Sequence, residues 1–582
     1  MPAGASPLRT DKRGIIDMNN LINSGLLRGY ESKQLKRYDD PIDTLPEMVS
    51  FEDLPNREIN GVLLVNRHIN GKLMQIYSKE NTHELIISAT GGGKSSSCVI
   101  PQVVSFGKQK VKKSMIISDP KGEIYKRTSK ILEQEGYRVY LLNYRDTAHS
   151  EFWNPLTPIY RAYHKVFKIY DEIEIVQTEN GYRNKFRGKI YNSQSELDHI
   201  IDVLFEAEMD KVGNMIDEIA GMMITAESTK EKTWEYGAME LLKAFLWGML
   251  EDSRPTEDGK EPTITEQTFS LRTIFRIFAT FRPLSDSSPD KGYFEDRSHD
   301  SNAFIFSRTA MDCARVTRSG YTSTFLSKMN VYKNAAVQTV TCCNSFEFDE
   351  LVDGHVAVFI DYQDEIKTQY QLISLFVQNA YKFLIEQANK TPSGRLDVPF
   401  YFMLDEFGNF PAITDFDTGI TAARGRNIYF CLVLQSYSQL EHVYGKETAE
   451  IIRDNLNVKI FLGSNNPNTL KTFQSECGDY TRLSPLTALN GNGSEITSYA
   501  IETIPIVTRS ELSCFEPGEC VITELNSPYT LWSKLERYFL CDEFKDLPLA
   551  SEHEYLSKVN PYESTYIFEL TKKMKSKSGF DF

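Results

Sequence analysis

The stretch from His83 to Ser96 limits what this chain can fold into more than any other part of the sequence. An apolar run, Leu85–Ile87, is followed by small residues and then by Gly91-Gly92-Gly93-Lys94-Ser95, after which a helix is able to start. Consecutive glycines let backbone N–H groups turn inward around phosphate oxygens, and the positive end of the next helix faces the same oxygens. Lys94 would reach the outer phosphates of a nucleotide, and the hydroxyl of Ser95 would hold Mg²⁺. The predicted nucleotide-binding residues of this loop are Thr90, Gly91, Gly92, Gly93, Lys94, Ser95 and Ser96.

The loop differs at one position from the full pattern G-x-x-x-x-G-K-[ST], because Ser88 stands where the pattern has its first glycine. A glycine-rich segment between a strand and a helix is also found as a plain turn that binds nothing. The loop alone leaves both interpretations open. The decision depends on whether the chain supplies the other groups that phosphate chemistry needs.

A second apolar run, Phe400–Leu404, ends in the acidic pair Asp405-Glu406. One carboxylate at the end of a buried strand can hold Mg²⁺ through its water shell, and its neighbour can polarise the water that attacks a γ-phosphate. We assign the first role to Asp405 and the second to Glu406. Gln435 follows the next predicted strand, Tyr429–Leu434, and would orient or sense the γ-phosphate. Together with the glycine loop, these residues predict an ATPase that uses ATP and Mg²⁺.

Two arginines, Arg424 and Arg426, precede the strand that leads to Gln435. In a ring of subunits, an arginine of one subunit can neutralise the charge on a nucleotide bound to its neighbour, an effect worth about 10³–10⁵ in rate. Ordinary surface charge is the alternative interpretation. The spacing does not choose between the two arginines.

Strands and helices alternate around both motifs. The stretch Ser114–Glu123 is predicted as a short apolar strand that ends in a polar, proline-containing turn. Glu123–Glu135 is predicted as a helix and Arg138–Leu142 as a further strand. This alternation is typical of a parallel sheet, whose ligands lie beyond the carboxyl ends of the strands. Asp119 and Lys121 follow a strand as the glycine loop does, so they join the predicted nucleotide-binding residues.

Length and composition exclude several classes of protein. A chain of 582 residues forms two or three domains, and 41% hydrophobic with 25% charged residues is a globular composition. The net charge of −15 argues against a protein that coats nucleic acid with a basic surface. Nine cysteines form no C-x-x-C pair, which favours a reducing cytosol over a disulfide framework or a zinc site. No run reaches the roughly 18 apolar residues of a membrane span.

The segment 157–330 differs from its surroundings, since polar and helix-periodic stretches replace the apolar strands. It is predicted to be a mostly helical insertion. Eight acidic residues lie between positions 196 and 218, against a single Lys211. This pattern fits a solvated helix face or a docking surface for a basic partner.

Several motifs, in the same order over most of residues 80–540, resemble the TraG-like coupling-protein ATPases of type IV secretion and bacterial conjugation. The matching pieces are Ser88–Ser95, Ser118–Glu123, Ser150–Leu156, Trp234–Leu242, Leu404–Gly408, Ala423–Arg426 and Leu434–Leu440. The Asp-Pro-Lys-Gly-Glu element that begins at Asp119 and the Gln-Ser-x-Ser-Gln-Leu element that begins at Gln435 are more specific than the glycine loop.

The resemblance implies an α/β fold: a RecA-like P-loop nucleotide-binding domain with a mostly parallel sheet, interrupted by an all-α domain. We divide the chain into an N-terminal arm or docking segment (1–60), the first half of the nucleotide-binding domain (61–156), the all-α insertion (157–330), the second half of the nucleotide-binding domain (331–545) and a C-terminal tail (546–582). The resemblance also implies a homo-hexamer that uses ATP to deliver a relaxase and single-stranded DNA to the components of a type IV secretion channel. In that class the insertion recognises the cargo.

Proteins of this class usually begin with transmembrane helices that anchor them at the channel. Either such a segment is missing from this sequence or a separate membrane protein supplies the anchor. We expect the second, which places the chain in the cytoplasm, attached through partners to the inner face of the membrane. Two other functions stay open: a double-stranded DNA translocase of the FtsK/HerA type, and an ATP-binding receptor platform with little translocation.

Overall fold

The computed structural model of the chain describes residues 16–17, 47–178, 181–191, 193–224, 232–255, 261–281, 292–295, 297–363, 365, 367–489, 495–527, 530–557 and 559–560. Most of the predicted N-terminal arm and the end of the predicted tail, 561–582, therefore lie outside the described residues.

Strands and helices alternate along much of the chain. In chain order, the strands are β1 (Ile16–Asp17), β2 (Glu47–Ser50), β3 (Leu63–Ile69), β4 (Lys72–Tyr77), β5 (Glu84–Ile87), β6 (Ser114–Asp119), β7 (Arg138–Asn143), β8 (Ile173–Thr178), β9 (Gly181–Phe186), β10 (Lys189–Ile190), β11 (Val356–Asp361), β12 (Phe400–Leu404), β13 (Ile428–Leu434), β14 (Val458–Phe461), β15 (Asp479–Leu489), β16 (Glu495–Pro505), β17 (Glu519–Glu524) and β18 (Thr530–Lys534). The α-helices are Ile100–Lys108, Glu123–Gln134, Thr157–Phe167, Gln194–Met223, Lys232–Glu251, Leu271–Phe281, Asn302–Met311, Arg315–Lys328, Ala335–Val340, Lys367–Lys390, Phe416–Ala423, Tyr437–Tyr444, Lys446–Asn455, Pro467–Cys477, Arg509–Leu512 and Asp542–Lys545.

The chain divides into two compact units. The first unit consists of residues 1–145 and 347–555, and the second unit consists of residues 146–346 and 556–582.

A ten-stranded sheet forms the centre of the first unit, in the order β1-β18-β17-β14-β5-β13-β12-β6-β11-β7. The seven strands from β14 to β7 are all parallel to one another. The next strand, β17, is antiparallel to both β14 and β18. Every residue of β5, β12 and β13 is buried, as expected where helices cover both faces of a parallel sheet. The predicted α/β class with a mostly parallel sheet is confirmed.

A small antiparallel sheet, in the order β2-β4-β3, belongs to the same unit. The hairpin between β3 and β4 turns at Asn70 and Gly71, which have φ angles of 52° and 78°. Positive φ at both central residues is what an Asn-Gly hairpin turn requires. The strand β2 was missed: the predicted arm of 1–60 ends earlier, because β2 pairs with β4 and the next turn buries Phe51 and Leu54.

The second unit is mostly helical, with Phe245 in an aromatic core that also contains Phe278, Phe294 and Phe325. The unit also contains a three-stranded antiparallel sheet, β10-β9-β8. The all-α description implied by the resemblance therefore needs correction. The dipeptide Asn180-Gly181 is a hairpin signal of the same kind as Asn70-Gly71, and it was overlooked.

The boundaries of the second unit lie outside the predicted 157–330. The incoming segment pairs with the outgoing one, since the N–H of Trp153 donates to the carbonyl of Val340 at 2.8 Å and the N–H of Ser345 donates to that of Phe152 at 3.0 Å. The predicted tail also divides, because residues up to 555 belong to the first unit. Within the second unit, the hydroxyl of Ser557 donates to a carboxylate oxygen of Glu151 at 2.8 Å.

Candidate functional site

The glycine loop follows β5 and leads into a first helical turn, Lys94–Val99, of π-helical geometry. Gly91 and Gly93 have φ angles of 80° and 96°, in the left-handed region that favours glycine. Gly92 has no room for a side chain, because a Cβ there would lie 2.2 Å from the hydroxyl oxygen of Ser88. Backbone conformation thus favours glycine at positions 91 and 93, and close packing against Ser88 requires it at position 92. The contact of the loop with phosphate stays a prediction.

The acidic pair follows β12, two strands away from β5 in the sheet. Asp405 is buried, and its two carboxylate oxygens accept from the Ser95 hydroxyl and from the N–H of Glu406, each at 2.9 Å. Burial raises the pKa of Asp405, and the charge of Lys94 opposes this effect. Glu406 has a φ of 55°, a strained conformation that a functional site can retain.

Lys94 reaches across the carboxyl ends of the strands to this pair. Its ammonium group contacts a carboxylate oxygen of Glu406 and lies 3.8 Å from Oδ1 of Asp405. The side-chain amide of Gln435, just after β13, donates to the other oxygen of Glu406 at 3.1 Å. The structure thus brings five predicted residues into one cluster, which we call the acidic-pair cluster: Lys94, Ser95, Asp405, Glu406 and Gln435.

The acidic-pair cluster contains the kinds of group that can hold a metal–phosphate ligand. A hydroxyl and a carboxylate, from Ser95 and Asp405, are hard oxygen ligands of the kind that Mg²⁺ uses in such sites. Both oxygens of Glu406 are engaged by Lys94 and Gln435, so this carboxylate is oriented on two sides. Of the remaining loop residues, Thr90 precedes the three glycines, and Ser96 lies in the first helical turn, where its hydroxyl donates to the carbonyl of Gly93 at 3.2 Å.

Asp119 is the last residue of β6 and Lys121 follows it, so both lie at the carboxyl end of a strand, as expected. Asp119 is buried and accepts from the N–H of Tyr125 at 2.8 Å, so it stabilises the first turn of helix Glu123–Gln134. Burial raises the pKa of Asp119 to about 8, and the nearby carboxylates of Asp361 and Asp405 add to the increase. The side chain of Lys121 is exposed. The geometry favours a structural role for Asp119, and a nucleotide contact by Lys121 stays a prediction.

Arg424 and Arg426 are not part of the acidic-pair cluster. They precede β13, whereas the glycine loop follows β5, which is the parallel neighbour of β13. The arginines therefore lie at the amino ends of these strands and the loop lies at their carboxyl ends. Arg424 pairs with the exposed Glu80 at 2.7 Å and lines a cavity of about 670 Å³. Arg426 instead donates to the carbonyl of Ala422 at 3.1 Å.

Sequence reasoning missed several residues that position the cluster. The side chain of Gln439 accepts from the N–H of Gln435 at 2.8 Å, and the hydroxyl of Ser118 donates to the carbonyl of Asp405 at 3.0 Å. Arg145 pairs with Asp361 at 2.7 Å and donates to the carbonyl of Tyr362 at 2.9 Å. Gln439 and Ser118 belong to the motifs that carry the resemblance, so the sequence marked both residues but did not indicate what they contact. Arg145 carries no comparable sequence signal.

Residues 50–498 match the protein family described as "Type IV secretory system Conjugative DNA transfer". This range covers well over half of the chain. Within the described residues, we find no helix with the length and apolar character needed to cross a bilayer.

Two curated relatives are proteins named VirD4. The chain is 21% identical over 406 residues to VirD4 of Agrobacterium fabrum, a match that covers 69% of this chain and 50% of that protein. It is 20% identical over 413 residues to VirD4 of Rhizobium radiobacter, covering 69% of this chain and 49% of that protein. The chain therefore spans about half the length of these relatives.

Solved structures of a bacterial conjugative coupling protein, TrwB, have a similar fold. The unbound form, TrwBdeltaN70, gives a TM-score of 0.53 at 14% identity and covers 84% of this chain and 92% of that one. TrwB in complex with ADP and Mg²⁺ gives 0.51 at 14% identity and covers 84% and 94%. The resemblance seen in the motifs is confirmed: the chain belongs to the type IV secretory system family for conjugative DNA transfer.

Proposed function

We propose that the chain is a P-loop ATPase and serves as the coupling protein of a conjugative type IV secretion system. The observation that supports this proposal most is the acidic-pair cluster, in which three separate sequence motifs meet at the carboxyl ends of neighbouring strands. Such an edge is where ligands bind in parallel α/β sheets. The fold shared with TrwB, which has been solved with ADP and Mg²⁺, agrees with it.

In this proposal ATP lies on the glycine loop, and Mg²⁺ supplies charge neutralisation at the phosphates beside Ser95 and Asp405. The contact between Lys94 and Glu406 is then exchanged, because the ammonium group is drawn to the outer phosphates. Glu406, released on that side, accepts a hydrogen bond from the attacking water. Gln435 retains the other oxygen of Glu406 and keeps the carboxylate pointed at that water.

Arg424 completes the site from a neighbouring subunit, which requires a ring, and a homo-hexamer is the assembly we propose. We favour Arg424 over Arg426 because Arg424 lines the cavity at the amino ends of the strands, away from the loop, and exposes 44% of its side chain. An arginine so placed is far from the loop of its own chain. It is free to exchange Glu80 for a phosphate on a neighbour.

The cargo in this proposal is a relaxase with single-stranded DNA, docked through the second unit. Helix Gln194–Met223 supports this, since seven of the eight acidic residues between positions 196 and 218 are exposed and Glu208 is half-buried. Its apolar side, which includes Val212 and Ile216, is buried. In this proposal the chain works at the inner face of the membrane, beside the channel components.

The test is ATP hydrolysis and DNA transfer by Lys94→Ala and Glu406→Gln variants. Both should lose nearly all hydrolysis with the fold intact. Lys94→Ala removes the charge that meets the outer phosphates, and Glu406→Gln removes the carboxylate that accepts from the attacking water. Lys110→Ala is a matched control, since Lys110 pairs with Glu58 at an exposed position. Normal transfer by an expressed Lys94→Ala variant would exclude the motor.

The same assay separates the two alternatives. Stimulation by single-stranded but not by duplex DNA distinguishes the coupling protein from an FtsK/HerA-like translocase. Nucleotide binding without turnover, together with normal transfer, would instead identify a receptor platform.

A further inference from the structure

Arg537 lies directly against the glycine loop of its own chain. A Cβ built on Gly93 would be 3.5 Å from Nε of Arg537, and the hydroxyl oxygens of Ser96 and Ser97 would lie 3.5 and 3.1 Å from the same point. The guanidinium group thus borders the space beside Gly93 that a side chain there would fill. The short segment Tyr538–Leu540 follows it.

Among the residues that the structure describes, Arg537 forms no ion pair with a carboxylate. Its guanidinium group instead faces the ring of Phe539, whose centroid is 5.9 Å from the guanidinium carbon. Lys94 differs in this respect, since Asp405 and Glu406 balance its charge. The loop therefore has a second cation beside it that no described carboxylate neutralises, and an anionic ligand would balance it.

The residues on either side of Arg537 are anchored to the rest of the first unit. The N–H of Glu536 donates to the carbonyl of Asn66 at 2.9 Å, and its carboxylate is 2.7 Å from Nδ1 of His68. The hydroxyl of Tyr538 donates to a carboxylate oxygen of Glu123 at 2.7 Å. Glu123 is the last residue of the Asp-Pro-Lys-Gly-Glu element, to which the proposed function gave no role.

We propose that Arg537 is a further nucleotide-binding residue, which contacts the phosphates of the nucleotide on the loop of its own chain. Its planar fork of N–H donors suits phosphate oxygens, and its charge adds to that of Lys94. Tyr538 and Glu123 are positioning residues that keep this fork at the loop. The inference rests on the proposed function, because it needs the loop to bind a nucleotide.

The test measures the dissociation constants of ATP and ADP with Mg²⁺ by calorimetry. Arg537→Gln should weaken both by about tenfold or more, the usual effect of losing a charge-assisted hydrogen bond. Lys534→Gln is the matched control, because it removes an exposed cation of the same segment that pairs with Glu516. Its affinity should stay within about twofold of wild type. Melting temperatures without nucleotide should be equal for both variants.

A double-mutant cycle tests the positioning role. Tyr538→Phe should weaken nucleotide binding by about threefold when Arg537 is present, and not at all in the Arg537→Gln background. Equal losses in both backgrounds would show that Tyr538 acts independently of Arg537 and would overturn the positioning role. If Arg537→Gln does not fold, Arg537→Lys replaces it, since it keeps the charge but loses the fork, and a weakening of about threefold is expected.

The outcomes distinguish this inference from the function on which it rests. Wild-type affinity in Arg537→Gln, or in Arg537→Lys if only that variant folds, overturns the inference, provided that Lys94→Ala binds poorly. Failure of the wild-type chain itself to bind either nucleotide overturns the proposed function first.

Discussion

At Ser88 the glycine loop departs from the usual pattern, and the absence of a side chain at Gly92 makes room for the serine hydroxyl. Ser88 is fully buried, and its hydroxyl donates to the carbonyl of Ala89 at 3.1 Å. The hydroxyl occupies the space that a side chain at Gly92 would need. Ser88 can stand in place of the first glycine of the pattern because position 92, which faces its hydroxyl, is a glycine.

We expect Gly92→Ala to weaken ATP binding by about tenfold or more, because a Cβ 2.2 Å from the Ser88 hydroxyl forces the loop to shift. Adding Ser88→Gly should recover part of the affinity, since it removes the clash. Gly221→Ala is the control, because nothing lies within 4 Å of that added methyl group. Unchanged ATP affinity in Gly92→Ala, measured by calorimetry, would contradict the explanation.

Glu84, the first residue of β5, places a carboxylate in the core below the loop. It is fully buried, and one oxygen accepts from the side-chain amide of Gln102 at 2.8 Å. Burial raises the pKa of Glu84 from its ordinary value of 4.5 to about 7. A raised acid pKa means that the folded chain binds the proton more tightly than the unfolded chain. Stability from this group is therefore lost as the pH rises from 4.5 through 7.

Glu84→Gln should raise the free energy of unfolding by up to about 3 kcal/mol at pH 8, at roughly 1.4 kcal/mol per unit of pKa. Near pH 4 the difference should vanish, because the wild-type carboxyl is then neutral in the folded state. Urea unfolding across this pH range measures the effect. Glu133→Gln, at an exposed position, should show no such trend. A constant offset at all pH values would disprove the assignment.

At the scale of elements, strands with apolar residues at every position could be predicted from the sequence. β12 and β13 fall at the predicted positions, and helix Glu123–Gln134 ends within one residue of the prediction. The hairpin of β15 and β16 was missed, because Thr, Ser and Glu residues interrupt its apolar alternation. The position of Arg537 beside Gly93 depends on which distant segments the fold brings together, and no local pattern encodes that.

The acidic helix Gln194–Met223 gives a prediction at the same scale. Asp202, Glu206 and Asp210 are exposed and four residues apart, so they line one side of the helix. Changing all three to Lys should weaken capture of the cognate relaxase by about tenfold and leave ATP hydrolysis unchanged, because it reverses the field that a basic partner meets. Pull-down at low and high salt measures this. Glu58→Lys with Glu133→Lys is the control. If the triple variant captures as much relaxase as the wild type at low salt, this side of the helix only faces solvent and is not a docking surface.

At the scale of the whole molecule, Arg424 and the loop lie at opposite ends of parallel strands, so the role proposed for Arg424 requires two chains at each site. The sheet separates them within one chain, since one precedes β13 and the other follows β5. The consequence is that activity should depend on assembly and that two defective variants should assist each other.

We expect Arg424→Ala to reduce ATP hydrolysis by about 10³-fold or more. Lys94→Ala alone should be inactive as well. When the two are mixed and allowed to assemble, some sites combine an intact Lys94 with an intact Arg424 from the neighbour, and part of the activity should return. The readout is the steady-state hydrolysis rate of the mixture. Arg426→Ala should behave as wild type. If mixing restores nothing, Arg424 does not act between chains.

The pairing of the segments that enter and leave the second unit has a consequence for how such a protein can change. Because Phe152 and Ser345 are joined by a hydrogen bond, the two ends of the insertion meet, and the insertion is in effect a closed loop of the chain. We expect a unit attached in this way to be exchangeable between relatives. A chimaera must however graft the C-terminal residues as well, since Val559 packs on Phe152, Cys342 and Cys343. If the second unit docks the cargo, as proposed, exchange of cargo between conjugative systems should follow the joint inheritance of 146–346 and the segment around Val559.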